Sequence, residues 1–427
     1  MVTRDGEVFY AFLEERNIND ASLSLKFDAI AREEHGFMKS ISEISELNTF
    51  SINLRVDFRE GEYKSIRNIE SNRWYQITLS DNAKYYAELM SGDRLTIEAV
   101  SVKSIKPLKR KDEKAFLKTY SLNRLEQADI GEIKKVINSK CQSPFMIRVI
   151  KVGQGNAIAA TNMTYWDFSD VFYIDIGGGV GNNTDENITP QFNPEPGAFV
   201  ILTHWDQDHW ISAKRYDVLN ELIWIVPNQS PLGVSHIKIA SRLHQINKLL
   251  IWPDTVKMIN TDFLDIHKLP KSKDRNNSGL VVVSKNENKI HCCNFGCFNQ
   301  SAENEKNTLI TGDAKYSKCE FISRYKIDAL IIPHHGGKSS AKNLPKSNGN
   351  GVAVISCGLD NSYGHPDRNT IDRHKNKGWK IRDVYYEDLF ILSANFSCCE
   401  NFDANCEVHN HMVFMKQFRI YSFEFLN

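Results

Sequence analysis

Four short segments of this chain carry residues suited to chemistry. The first is Thr203-His204-Trp205-Asp206-Gln207-Asp208-His209. It places four imidazoles and carboxylates within six residues, directly after the apolar run Phe199–Leu202. Nitrogen and oxygen ligands converging from a tight turn at the end of a rigid strand suit a divalent metal. The bland alternative is a polar loop whose Asp residues cap a helix. That reading leaves three further segments unaccounted for. Leu309-Ile310-Thr311-Gly312-Asp313 ends a strand in Gly-Asp, with the carboxylate suited to bridge two ions. Ile331-Ile332-Pro333-His334-His335-Gly336-Gly337 sets two His at a strand end, with Gly to let the backbone turn. Ser362-Tyr363-Gly364-His365-Pro366 holds a His on a Gly–Pro turn, where it can contact a scissile phosphate or protonate a leaving group. Taken singly, the last is a surface turn. Taken in order, the four supply the ligand types of a divalent-metal site.

Such loops need strands behind them. Short β-rich runs over 145–152, 170–176, 200–203, 280–284, 308–311, 329–333 and 352–356 supply them. Helical periodicity covers 235–249 and 370–377, and strands over 380–386, 389–395 and 411–423 close the chain. The polar, Cys- and Asn-rich stretch 286–307 splits two strands as an insertion loop. The first 144 residues read differently. Strand-like alternation over 50–58, 73–79 and 93–102, with helices over 112–120 and 125–137, predicts a small α+β or β-barrel domain. A boundary at 141–144 divides the chain into residues 1–144 and 145–427.

Composition narrows the class. The chain has 427 residues, 41% hydrophobic and 25% charged, which excludes wholesale disorder. Lys plus Arg and Asp plus Glu are both 53, so no global basicity advertises nucleic acid. A local basic run does exist, at Lys103, Lys106, Lys109, Arg110, Lys111 and Lys114; it is more simply a solvated linker or helix face than a nucleic-acid patch. No apolar run approaches the roughly 20 residues of a membrane span. Met1–Tyr10 carries charges and no apolar leader, and the nine cysteines are odd in number with adjacent pairs. Both features predict a reduced, cytoplasmic protein with no membrane partner. Cys292, Cys293 and Cys297, or Cys398, Cys399, Cys406, His409 and His411, offer a structural zinc site against the simpler reading of free thiols.

Together the segments resemble the metallo-β-lactamase superfamily, and within it the soluble nuclease-like domain of ComEC-type DNA-uptake proteins. Val149–Ala157 is similar to that branch's opening strand, which ends in VGQGDA, with Asn156 where Asp is usual. Tyr173-Ile174-Asp175-Ile176-Gly177 is similar to its second strand. The resemblance spans roughly residues 145–400, about 60% of the 427 residues. It implies an α/β fold, an αββα sandwich with the site at one edge. It also implies two divalent ions, Zn²⁺ or Mn²⁺. His204 and Asp206 would serve the first ion, Asp208, His209 and His334 the second, and Asp313 would bridge, with His335 the second choice beside His334. No His stands where the first ion's third imidazole belongs. That His is expected just after the mid-domain helix; Asn276-Asn277-Ser278, before the Leu280 strand, matches an Asn/Ser motif of that branch, so the first site would be weak, oxygen-rich or empty until substrate arrives, which makes an oxygen-loving ion such as Mn²⁺ as plausible as Zn²⁺.

The expected activity is phosphodiester hydrolysis of DNA by metal-bound hydroxide. Asp208, Asp313 and His365 would be catalytic, and Asn277, Ser278, Ser362, Tyr363 and His365 would meet substrate. Lys338 or Ser339 would lie nearby, and Trp205 and Trp210 could stack bases. A cyclic nucleotide or phosphocholine ester is the rival substrate class; a thioester or lactam fits less well because such sites are richer in His. A non-catalytic, partner-binding subunit docking through the N-terminal domain is the rival outside enzymology, favoured by Asn156 and the missing third His.

Overall fold

The computed structural model describes residues 4–18, 22–36, 40–58, 66, 68–81, 83, 85–91, 96–143, 145–163, 168–180, 183–286, 306–338, 342–347, 349, 351–359, 361–392 and 421–425. Its α-helices are α1 (Ile41–Ser45), α2 (Arg110–Thr119), α3 (Ile130–Lys140), α4 (Val234–Gln245) and α5 (Arg368–Asn376). None is long and apolar enough to cross a membrane. Contacts divide the chain into two units, Met1–Glu126 with Gln229–Leu249, and Gln127–Asn228 with Leu250–Asn427.

The first unit is built on six strands, β1 (Val8–Ile18), β2 (Ser22–Ala31), β3 (Thr49–Asp57), β4 (Trp74–Leu79), β5 (Tyr85–Ser91) and β6 (Ile97–Pro107). They close into a barrel in the order β1-β2-β3-β5-β6-β4. Of the two forms expected for the N-terminal domain, the barrel is the one found. Its core comes from alternate positions, among them Phe9, Ala11 and Leu13 on β1 and Ile52, Leu54 and Val56 on β3. Closure leaves no open sheet edge. Strands β1, β2 and β5 were not foreseen. On β1 the reason is that both faces are buried. Phe12 packs on Trp74 outside the barrel, and Trp74 in turn meets Phe116 of α2 at 4.7 Å. Alternation is thereby lost from the sequence. The six residues of the basic run lie on β6 and at the start of α2, all exposed.

Helix α4, expected over 235–249, joins this barrel unit. Asp28, buried on β2, accepts from the Ser235 N–H and Oγ, both at 2.7 Å, at the start of the helix. A Cβ on the preceding Gly233 would lie 2.1 Å from the Asp28 carboxylate, so only Gly allows this approach. His236 sits between Asp28 (3.3 Å) and Glu14 (3.0 Å).

The second unit contains two sheets. The first has eight strands in the order β12-β11-β10-β9-β8-β7-β20-β21. These are β7 (Met146–Val149), β8 (Ala157–Met163), β9 (Phe168–Ile176), β10 (Pro194–Ile201), β11 (Ile223–Val226), β12 (Leu249–Ile251), β20 (Asp388–Leu392) and β21 (Tyr421–Phe425). The second has seven, in chain order from β13 to β19. They are β13 (Met258–Asn260), β14 (Leu264–Lys268), β15 (Leu280–Asn286), β16 (Lys306–Ile310), β17 (Ile327–Ile331), β18 (Val352–Ile355) and β19 (Lys380–Asp383). One core draws on both sheets, with Phe172, Ile174, Phe199 and Ile201 from the first and Ile266, Val282, Ile310 and Ile331 from the second. On its other face the second sheet buries Val281, Val283, Leu309 and Leu330 with Tyr316, Cys319 and Trp379. Strands buried on both sides read as unbroken apolar runs, which is why β15 to β18 were visible in the sequence. Residues 287–305 of the expected insertion, and all the cysteines and histidines weighed for a structural zinc, lie outside the described residues.

A buried ion-pair network ties the first sheet together. Arg148 on β7 is fully buried and contacts Asp170 on β9 and Asp388 on β20, both at 2.6 Å. Tyr173 and Thr161 also donate to Asp170, at 2.6 and 2.9 Å. Arg148→Met would leave two buried carboxylates without their cation, a loss of about 3–5 kcal/mol. The urea midpoint should fall accordingly; an unchanged midpoint would contradict the role assigned to Arg148.

Candidate metal centre

Strands β9 and β10 run parallel, as do β16, β17 and β18. The four loops read from the sequence leave the carboxyl ends of β10, β16, β17 and β18, the usual place for a ligand crevice in parallel sheets. The His204–His209 loop is pinned by its backbone. The Asp208 carbonyl accepts from the N–H of Asn156 at 3.1 Å and of Gly178 at 3.2 Å. Gly177 presses against the same carbonyl, where an added Cβ would lie only 1.7 Å from the oxygen. Gly177→Ala must therefore shift the loop. The variant should lose stability, and an unchanged urea midpoint would refute this packing.

Three buried imidazoles face one another across the crevice. His209 Nδ1 is 2.7 Å from Asp175 Oδ2, His335 Nδ1 donates to the Ser356 carbonyl at 2.9 Å, and His204 Nδ1 is 3.1 Å from Thr203 Oγ1. With Nδ1 carrying the proton, each Nε2 keeps its lone pair, and a tied Nδ1 is how ligand imidazoles are held. Those lone pairs point at carboxylates. His209 Nε2 lies 3.1 Å from Asp313 Oδ1, and His335 Nε2 lies 3.1 Å from Asp208 and 3.7 Å from Asp313. His204 Nε2 lies 3.4 Å from Asp206 and 3.8 Å from Asp313. All three Nε2 atoms are buried without a hydrogen bond among the described residues. Acceptors converging on acceptors need a cation between them, and the donor set fits a divalent ion. Among the described residues of the crevice, two groups have ligand atoms close enough together to hold one: His204, His209 and Asp313, and Asp208, His209 and His335. A third, Glu14, Asp28 and His236, is the anchor of α4 in the barrel unit.

The electrostatics agree. Burial would raise the Asp313 carboxyl, but His209, His335 and His334 outweigh it and hold it well below the ordinary range. Asp208 is held low against burial by His335 and His209. Asp206 is held low against burial by Arg275 and His204. Burial opposes the charging of His209 and His335, yet Asp313 with Asp175, and Asp313 with Asp208, raise them. These imidazoles thus seek positive charge, as a proton or as a metal. His365 goes the other way: burial and the neighbouring His335 and His334 push it down to about 3. It is a neutral imidazole at pH 7, a hydrogen-bonding group and not an imidazolium acid.

The structure brings His204, Asp206, Asp208, His209 and Asp313 to one place, with His334 at the rim. The second choice of the His pair sits better. His335 is buried and anchored, whereas the His334 side chain is 45% exposed with Nε2 4.0 Å from Asp313. Both residues have positive φ, 54° and 53°, a turn that swings the second ring inward and the first outward. The His365 ring packs edge-on to His334 at 5.2 Å and is stacked by Tyr363 at 5.6 Å. Ser362 is exposed, and its N–H donates to Asn183 at 2.7 Å. Asn277 and Ser278 do not present open polar groups to a substrate. Both are buried; Asn277 Oδ1 accepts from the Lys315 N–H at 3.1 Å, and Ser278 Oγ donates to the Arg275 carbonyl at 3.2 Å. Trp205 and Trp210 are fully buried, with their indole N–H groups bonded to the carbonyls of Pro227 and Trp205. They pack the loop from beneath and offer no face to a base. Lys338 is exposed, and Ser339 lies outside the described residues.

Sequence reasoning assigned no role to Asp175, Thr203, Asn156 or Arg275. Asp175, at φ 59°, is the hub. It accepts from His209, from the Thr203 N–H and hydroxyl, and from Asn156 Nδ2 at 3.0 Å. Asn156 thereby gains a reason: a carboxylate at this position would face that of Asp175. Arg275 contacts Asp206 at 2.8 Å, and one Arg in the Lys-rich stretch before β15 carries no spacing signal. No protein-family model matches the chain, and no curated protein matches it.

Proposed function

We propose that this chain is a metal-dependent phosphodiester hydrolase of the metallo-β-lactamase kind, its two-sheet unit an αββα sandwich, and that it cleaves DNA. One observation carries the reading: three buried Nε2 lone pairs, each fixed by a bonded Nδ1, converge on Asp208 and Asp313 at the carboxyl ends of parallel strands. Asp208, His209 and His335 would hold a divalent ion, with Asp313 and His204 beside them. When bound, such an ion would supply Lewis acidity, lowering the pKa of water toward about 7 and offsetting phosphoryl charge. Asp208 and Asp313 orient the attacking water through their carboxylate oxygens. Asp175 keeps His209 in the tautomer and direction that ligation needs. His365, neutral at the rim, hydrogen-bonds the phosphate or the departing oxygen.

DNA as the substrate rests on the resemblance of motif order to the ComEC-type domain. The test is a comparison of Mn²⁺-supplied wild type on single-stranded DNA and on a cyclic nucleotide. DNA cleavage with affinity that falls steeply as salt rises supports the proposal. Hydrolysis of the cyclic nucleotide alone moves the substrate to a small phosphodiester. No hydrolysis of either, with Mn²⁺ or Zn²⁺, leaves a partner-binding subunit as the better account.

A further inference from the structure

We propose that Arg275 stands in the place of one of the two expected metal ions, so that the centre holds a single divalent ion and the guanidinium supplies the second positive charge facing the substrate phosphate; this rests on the metal-hydrolase reading above.

Arg275 opens a short 3-10 turn, Arg275–Asn277, just before β15, and is 5% exposed. The turn is built firmly against the site. The Asp274 side chain accepts from the Asn276 N–H at 3.2 Å, and Asn277 Oδ1 accepts from the N–H of Lys315, two residues past Asp313. At Gly279 an added Cβ would lie 2.0 Å from the Thr203 carbonyl, so the segment lies flush against the loop that carries His204. The resemblance calls for a third imidazole for the first ion and the chain shows none; beside Asp206, which the resemblance gives to that ion, the chain supplies a guanidinium. Its NH2 lies 2.8 Å from Asp206 Oδ1.

The donor sets point the same way. Asp206 belongs to neither ion-holding group of the crevice, and both groups share His209. An ion ligated by Asp206 would sit against a buried cation that cannot lose its proton. Asp208, His209 and His335, a group without Asp206, still bring their ligand atoms close enough together to hold one ion. A guanidinium is also the side chain whose planar fork matches two phosphate oxygens, and it stabilises charge that develops on a phosphoryl group. Asp206 would then act as a positioning residue, holding that fork.

The test is metal stoichiometry. The full chain, stripped with chelator, is titrated with Mn²⁺ and, separately, with Zn²⁺ and read by native mass spectrometry, the Mn²⁺ sample also by EPR. Wild type is expected to take one equivalent, with the spectrum of an isolated ion. Arg275→His is expected to take two, with an exchange-coupled spectrum. Asp206→Asn is expected to keep one, and serves if the Arg275 variant does not fold. Two equivalents in wild type, one in Arg275→His, or none in Asp206→Asn would each overturn the proposal. No Mn²⁺ or Zn²⁺ bound by wild type is a different result, and it overturns the metal centre itself together with this inference.

Discussion

Asp208→Ala is expected to lower phosphodiesterase activity by at least about 1,000-fold, the scale of losing a group that acts in the transition state, while leaving the fold in place. The Asp208 side chain sits at the crevice with His335 as its contact, at 3.1 Å. The parts of Asp208 that hold the loop are backbone, its carbonyl bonded to Asn156 and Gly178. Removing the carboxylate therefore takes away a ligand and a water-orienting oxygen without removing a support. Circular dichroism and the urea midpoint should match wild type. A variant that cleaves as fast as wild type would show that hydrolysis, if present, occurs elsewhere.

The second large effect is expected from a residue that touches neither ion nor substrate. Asp175→Asn should weaken divalent-ion affinity by about 10–100-fold, the usual cost of losing the outer partner of a ligand His. Asp175 accepts from four donors, the His209 ring, the Thr203 N–H, the Thr203 hydroxyl and the Asn156 amide. An Asn turns one acceptor oxygen into a donor, which must then face a donor. His209 loses the bond that fixes its tautomer, and Thr203 loosens its hold on His204. The same substitution leaves buried donors unmet, at about 1–3 kcal/mol each, so ion affinity should be measured well below the lowered melting temperature. Calorimetry with Mn²⁺ on the folded variant is the check, and an unchanged affinity would remove Asp175 from the account.

Much of the two-sheet unit could be read from its residues because its strands are buried on both faces. Val281 and Val283 pack one side of the second sheet while Val282 packs the other, leaving an uninterrupted apolar run that ends at a turn. The barrel was harder for the related reason that Tyr10 and Phe12, on the outer face of β1, are covered by aromatic packing, so that alternation vanishes. The site residues were visible where type and spacing coincide, as in His204 to His209. The choice between His334 and His335 depends on two positive φ angles that spacing does not encode. Asn277 was read as a substrate group because its place in the chain was right, but its amide is spent joining two loops. Arg275 was passed over because nothing about one Arg among lysines tells which acid it will meet.

The crevice lined by Asp208, His209, His335 and Asp313 is the proposed metal site. The most direct measurement is the metal content of wild type and Asp208→Ala, each stripped with chelator, reloaded with Mn²⁺ or Zn²⁺, freed of unbound ion by gel filtration and read by mass spectrometry. The account predicts that wild type retains a divalent ion and that Asp208→Ala loses it. Wild type emerging without either ion would contradict it.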